Sequence, residues 1–248
     1  MGELYQDPRY AGRTRVFADR EEAGRVLARL LAPAFAGRRD AVVLAIPAGG
    51  VPVGLALARE LGLPLDLVFV RKLHFPENPE AGFGAVTEGG AVFVDPRLAE
   101  GLPEEVVARV VEAERRALAE RVRRLRRGAP SRLRGKTAIL TDDGLATGST
   151  MLAAVDEARR RGARELVVAV PTASLSAVQR ILPRVDALYV VNLRGGPFFA
   201  VADAYRNWRD LSLEEVAELL GAATEEALEH QKEDADDHEG VGEVEDRP

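Results

Sequence analysis

The chain has 248 residues, 46% of them hydrophobic, enough to bury the core of one large α/β domain or two small ones. It has no cysteine, which excludes disulfides, thiol catalysis and cysteine-based zinc sites, and its three histidines leave little for a histidine-based metal cluster. The net charge of −6 is uneven: residues 224–248 hold eleven acids against two bases, a net −9 that leaves +3 for residues 1–223.

The N-terminal stretch MGELYQDPRYAGRTRVFADR lacks an apolar export core, and no apolar run approaches the ~20 residues that span a bilayer. A cytoplasmic protein without a membrane partner is the expectation. Asp19 caps a predicted helix that reaches Phe35, with Glu21 and Glu22 in its first turn and Val26, Leu27, Leu30 and Leu31 facing inward. Ala41–Ile46 reads as a buried strand, Pro47–Gly50 as a turn, Pro52–Leu61 as a helix and Leu65–Val70 as the next strand. Arg71–Asp95 reads as irregular, because Pro76, Pro79 and several glycines interrupt it. Within it, FGAV and AVFV can pair as a hairpin across Thr87–Gly90. Pro103–Arg127 is a long helix with acids at its start and arginines at its end. A strand at Ala138–Leu140, a helix at Ser149–Arg161, a strand at Glu165–Val170, a helix at Leu175–Leu182 and a strand at Ala187–Val191 complete the pattern. This alternation predicts an open, mainly parallel sheet with helices on both faces. The basic run Arg121–Lys136 carries eight cations in sixteen residues and reads as a solvated helix end and linker in preference to a nucleic-acid patch. The tail from Thr224 is too acidic and too poor in aromatics to build a core, and disorder is expected there.

The most informative segment is Lys136–Met151, KTAILTDDGLATGSTM. A short apolar strand ends in two adjacent aspartates, Asp142 and Asp143. A loop of Gly144, Ala146, Thr147, Gly148, Ser149 and Thr150 leads into a helix. Free N–H groups and the positive dipole end of that helix suit a phosphate monoester without any lysine. The aspartates would repel that phosphate, so they should face a neutral, hydroxyl-rich part of the same ligand, or a metal. A phosphate beside a diol describes a ribose 5-phosphate. A Walker loop (GxxxxGK[ST]), a dinucleotide fingerprint (GxGxxG after the strand) and a D-x-D phosphatase motif are all absent here.

ILTDDGLATGST resembles the 5-phosphoribosyl-1-pyrophosphate (PRPP) motif of type I phosphoribosyltransferases, with Thr141 a mild departure in the apolar run. The resemblance extends over about Asp19–Leu220. It implies a phosphoribosyltransferase-like domain at 1–223, with hood elements near 1–18 and 192–223 and a flexible catalytic loop at 73–95. It implies that Gly144–Thr150 holds the 5-phosphate, and that Asp142 and Asp143 hold the ribose hydroxyls and orient Mg²⁺, mainly through ligand or water. IPAGGVPVG (Ile46–Gly54) resembles the family's pyrophosphate loop, which implies pyrophosphate binding by Ala48, Gly49 and Gly50 and a cis peptide at Ala48–Gly49. Arg71 and Lys72 match the cations beside the leaving group, with His74, Glu77, Asn78 and Glu80 as polar candidates in the loop that follows. More loosely, FFAVADAYRNWRDL resembles the acceptor region, which suggests Phe198 or Phe199, Asp203 and Trp208. The implied reaction transfers the phosphoribosyl group to a small-molecule nitrogen acceptor, a base or an amine, in a homodimeric enzyme. The alternative is a PRPP or nucleotide sensor of the same fold that does not turn over, with RNA as a conceivable partner through the basic run.

Overall fold

The computed structural model describes residues 2–196 and 198–225, with only the backbone at Pro79 and Glu80. The expectation of a disordered acidic tail therefore falls almost wholly outside the described residues.

Among the described residues a six-stranded, wholly parallel sheet runs in the order β1-β9-β8-β7-β2-β3. These strands are β1 (Glu3–Gln6), β2 (Ala41–Ala45), β3 (Leu65–Leu67), β7 (Thr137–Thr141), β8 (Glu165–Ser174) and β9 (Ala187–Arg194). All residues of β2 and β7 are buried. Alternate side chains feed two separate cores, which is why these strands read as continuous apolar runs. On one face Val42, Leu44, Ala138 and Leu140 pack against Met151, Val155, Val178 and Ile181 of α4 (Ser149–Arg160) and α5 (Leu175–Ile181). On the other, Val43, Ile139 and Val167 pack against Leu27, Leu31, Val53 and Leu57 of α1 (Arg20–Phe35) and α2 (Gly50–Leu61). Each such fully buried leucine contributes about 2 kcal/mol by burial. The predicted cap of α1 is present, with Asp19 Oδ1 accepting from Glu22 N at 2.9 Å.

The single strand predicted at Leu65–Val70 is two. After β3 the chain leaves the main sheet through the fully buried Val68 and Phe69 and enters a second, antiparallel sheet. That sheet consists of β4 (Val70–Phe75), β5 (Asn78–Thr87) and β6 (Val92–Val94). The predicted hairpin is present, with Ala85 opposite Phe93 and Val86 opposite Val92. The irregular character expected of Arg71–Asp95 is corrected. Gly82 and Gly84 mark close strand contact and bulging, not loop, and of the glycines only Gly89 and Gly90 make a turn: a Cβ on Gly84 would lie 2.1 Å from Phe93 O, and the register shifts on both sides of His74. Leu73, Phe83 and Val86 point into a third core with Leu118 and Leu125 of α3 (Glu104–Leu125) and Val216 and Leu220 of the last helix, 213–225.

β1 had no sequence signal, being four exposed residues on the sheet edge. The N-terminal segment also meets the C-terminal one: Phe17 N donates to Ala204 O at 3.0 Å and Arg206 N to Phe17 O at 2.8 Å.

Candidate functional site

The sheet order sets β2 beside β7 and β7 beside β8, so the loops leaving these strands share one edge, the carboxyl edge where open parallel sheets take ligands. The first loop follows β7. Gly148 is the N-cap of α4 with φ 77°, a left-handed conformation that favours glycine, and it supplies no side-chain cap. The opening amides of α4 therefore lack the usual side-chain acceptor, apart from a long 3.5 Å contact of Ser149 N with Thr147 Oγ1. Neighbouring elements pin the loop. Leu145 N donates to Thr172 O and Ser174 N to Leu145 O, both at 2.9 Å. The Ser174 hydroxyl donates to Ala146 O at 2.6 Å, and Arg180 of α5 donates to Thr147 O at 2.9 Å.

The second loop, after β2, lies against the aspartates. A Cβ on Gly49 would sit 2.0 Å from Asp143 Oδ2, and one on Gly50 would sit 2.9 Å from Thr141 O and 3.0 Å from Asp142 Cα. The sequence separates these loops by some ninety residues, and the two glycines are what lets them touch. The cis peptide is one bond earlier than expected, at Pro47–Ala48. The glycines serve close approach to the aspartates, not that bond.

The aspartates are electrostatically loaded. Burial, then the Asp143 charge, pushes the Asp142 carboxyl well above the usual range. Burial also raises Asp143, against the opposing pull of Arg20. Arg20 Nε donates to Asp143 Oδ2 at 2.9 Å, and Arg20 Nη1 donates to Arg209 O at 2.9 Å. The Arg20 guanidinium lies 3.9 Å from the Trp208 ring centroid, and Trp208 also packs on Tyr205, 5.1 Å between centroids. The Tyr205 hydroxyl donates to Asp143 O at 2.6 Å.

Asp142, Asp143, Gly49 and Gly50 are thus in contact, and Trp208 joins them through Arg20. Arg71 on β4 is ion-paired with Glu114 of α3. Lys72 lies along Gly82, where a Cβ would meet its Cδ at 2.4 Å. Asp203, half exposed, pairs with Arg194 at 3.1 Å, and Arg194 stacks 5.1 Å from the Phe199 ring. Phe198 is 88% exposed. His74 lies on β4, and the Asn78 side chain accepts from Ala81 N at 3.3 Å.

Residues 17–184 match the family described as the phosphoribosyl transferase domain. The chain belongs to the phosphoribosyl transferase domain family. A phosphoribosyl transferase of provisional name from Mycobacterium tuberculosis H37Rv is 39% identical over 216 residues, which is 84% of this chain and 47% of that protein. Its counterpart in strain CDC 1551 matches equally. The chain thus spans about half the length of the curated relatives it matches. Among solved structures, TT1426 of Thermus thermophilus aligns with a TM-score of 0.66 and 40% identity, over 82% of this chain and 97% of that one.

Two residues that touch the carboxylate pair escaped the sequence reading: Arg20 and Tyr205. Arg20 had a signal. It stands in the first turn of α1, where the helix dipole disfavours a cation. Tyr205 had none, because only the fold brings it to Asp143. Among the described residues no helix is long and apolar enough to cross a membrane, and no cluster of three or more metal-ligating side chains occurs.

Proposed function

We propose that the chain transfers the 5-phosphoribosyl group from PRPP to a nitrogen acceptor, releasing pyrophosphate. The observation that carries this reading is the contact of Gly49 and Gly50 with Asp143 and Asp142, which sets two anion-accepting loops on either side of one carboxylate pair. In this reading Gly144, Ala146, Thr147, Gly148, Ser149 and Thr150 hold the 5-phosphate. Asp142 and Asp143 accept hydrogen bonds from the ribose hydroxyls. The backbone of Ala48, Gly49 and Gly50, with Arg71 and Lys72, receives the pyrophosphate, the Gly50 amide itself being held by Ile46 O at 3.0 Å. The acceptor is assigned to the hood, at Phe198 or Phe199, Asp203 and Trp208.

Two carboxylates raised by burial, Asp142 also by the Asp143 charge, fit a cation that arrives with the ligand. Asp142 and Asp143 would hold Mg²⁺, through ligand or water, and the ion would neutralise charge on the pyrophosphate. The acceptor nitrogen attacks C1 from the face opposite the pyrophosphate, the C1–O bond breaks with its electron pair going to pyrophosphate, and the nitrogen loses its proton. Adjacent aspartates cannot straddle one bond as a glycosidase acid–base pair does. Their contribution is positional and electrostatic, and Arg20 and Tyr205 hold Asp143 in place for it.

The test is pyrophosphate release from PRPP and Mg²⁺ across a panel of bases and amines, with PRPP affinity measured by calorimetry. Turnover with at least one acceptor, and affinity largely lost in D142N/D143N, is the expected result. Unaltered PRPP affinity in that double variant would sink the site. Binding without release for any acceptor would make the protein a PRPP sensor.

A further inference from the structure

The basic run Arg121–Lys136 does not behave as one surface. Arg123 and Arg124 pair with Glu120 on their own helix, and Arg126 is buried against Asp66 and Glu88. Arg121 does something different. It stands on α3 one turn before that end and reaches across to the loop after β2, where its Nη1 donates to Pro47 O at 3.2 Å. It is partly buried, yet among the described residues no carboxylate lies within ion-pair range of it. Its other two nitrogens make no hydrogen bond among the described residues and are not sealed from solvent. A guanidinium carries five donors, so most of this one's capacity is directed at nothing in the protein.

Its surroundings sharpen the point. Burial, and the Arg71 cation next to it, disfavour the charge on Arg121, while Glu114 supports it. Glu114 is already the ion-pair partner of Arg71. Two guanidiniums therefore share one carboxylate beside the Pro47–Gly50 turn, leaving one positive charge in excess. Holding a partly buried cation next to another cation costs free energy unless an anion answers it.

Resting on the phosphoribosyl-transfer reading, we propose that Arg121 binds the pyrophosphate group of the donor, as a cation presented by α3 and oriented by the Pro47 carbonyl. Arg121 is then a binding residue for the leaving group, and α3 is part of the site, not only its scaffold. Nη1 remains on Pro47 while Nε and Nη2 turn to phosphate oxygens. A planar fork suits such oxygens better than a point charge does.

The experiment compares two ligands in one calorimetric series: PRPP with Mg²⁺, and ribose 5-phosphate, which shares the 5-phosphate and hydroxyls but has no pyrophosphate. Wild type, R121M and R121K are measured. Methionine keeps an apolar stem without charge, and lysine keeps the charge without the fork. In R121M, PRPP affinity should fall about tenfold or more, the scale of a lost hydrogen bond to a charged group, while ribose 5-phosphate affinity stays put. R121K should lie between wild type and R121M for PRPP alone. If both ligands weaken together, or neither does, Arg121 only braces the loop and the proposal is overturned. If R121M does not fold, the ratio of the two affinities in R121K decides the matter by the same criterion. If wild type binds neither ligand, the phosphoribosyl-transfer reading itself fails and takes this inference with it.

Discussion

Asp143 shows how much one carboxylate can be asked to hold. Its Oδ2 takes a hydrogen bond from Arg20, its backbone carbonyl takes one from Tyr205, and the Gly49 backbone lies where any Cβ would collide with it. This predicts the outcome of G49A. The new methyl, 2.0 Å from Oδ2, forces the carboxylate and the loop apart and is expected to disturb the bond to Arg20. A charge-assisted hydrogen bond of this kind contributes about 1.5–3 kcal/mol. Urea melts should show a loss on that scale, and calorimetry should show PRPP affinity reduced about tenfold or more. Unchanged affinity would mean that Asp143 does not face the ligand. The aspartates and glycines were legible because spacing alone encodes a strand, a turn and a helix start. Arg20 was legible only as an anomaly, a cation in a first turn that otherwise carries Glu21 and Glu22. Its role depends on Trp208 and Asp143, which are distant in sequence.

At the scale of elements, the reading succeeded where an element buries a continuous or alternating apolar set and failed where the chain changes sheets. The run Leu65–Val70 is uniformly apolar apart from Asp66, and nothing in it marks the passage from β3 to β4. The junction is held by charge. Asp66 on β3 binds Arg126 at 2.8 Å and Arg161 at 3.2 Å, from the ends of α3 and α4, and Arg126 also pairs with Glu88 beyond β5. Burial pushes the Asp66 carboxyl up, but the Ser131 and Leu67 amides and Arg126 outweigh it, so it ends below its ordinary 3.8. Glu88 ends above its ordinary 4.5, because burial outweighs its arginines. The signs are therefore opposite. Asp66 adds stability that is present above pH 3.8 and lost as pH falls toward its lower folded value. Glu88 subtracts stability, increasingly as pH rises through 4.5 to its higher folded value. D66N should thus be less stable than wild type at pH 7, by about 3 kcal/mol, since it leaves two partly buried arginines short of a partner. E88Q, which removes a partner of the same arginines but also relieves a carboxylate that burial disfavours, should lose less than D66N at pH 7. Both differences should shrink on acidification toward pH 3. Urea melts of the three proteins from pH 3 to pH 7 would check this, and equal losses in both variants at pH 7 would contradict it.

The whole molecule sets the proposed anion-binding edge on a chain whose net charge is negative. The parallel order brings β2, β7 and β8 side by side, and the two terminal segments pair across Phe17 and Tyr205 above that edge. The resemblance placed hood elements at both termini, but the strand order and the Phe17–Tyr205 pairing could not be read from sequence, because they depend on contacts between segments far apart in the chain. Charge distribution, by contrast, was fully legible. Residues 226–248 carry ten acids and two bases, so a chain ending at Glu225 changes from −6 to +2. The proposed donor is a polyanion, and the field of the whole protein acts on its approach. A chain ending at Glu225 should therefore bind PRPP more tightly and faster than the full chain at low salt. The gap should close as the screening length falls from about 10 Å at 0.1 M to about 3 Å at 1 M. Calorimetry and stopped-flow association across that salt range, with melting temperature as a check on folding, would measure it. The composition of the removed segment gives it no core to contribute, so the melting temperature should stay close to that of the full chain. A loss of affinity that persists unchanged at 1 M would mean that residues 226–248 act on the ligand or its loops by contact and not through their charge.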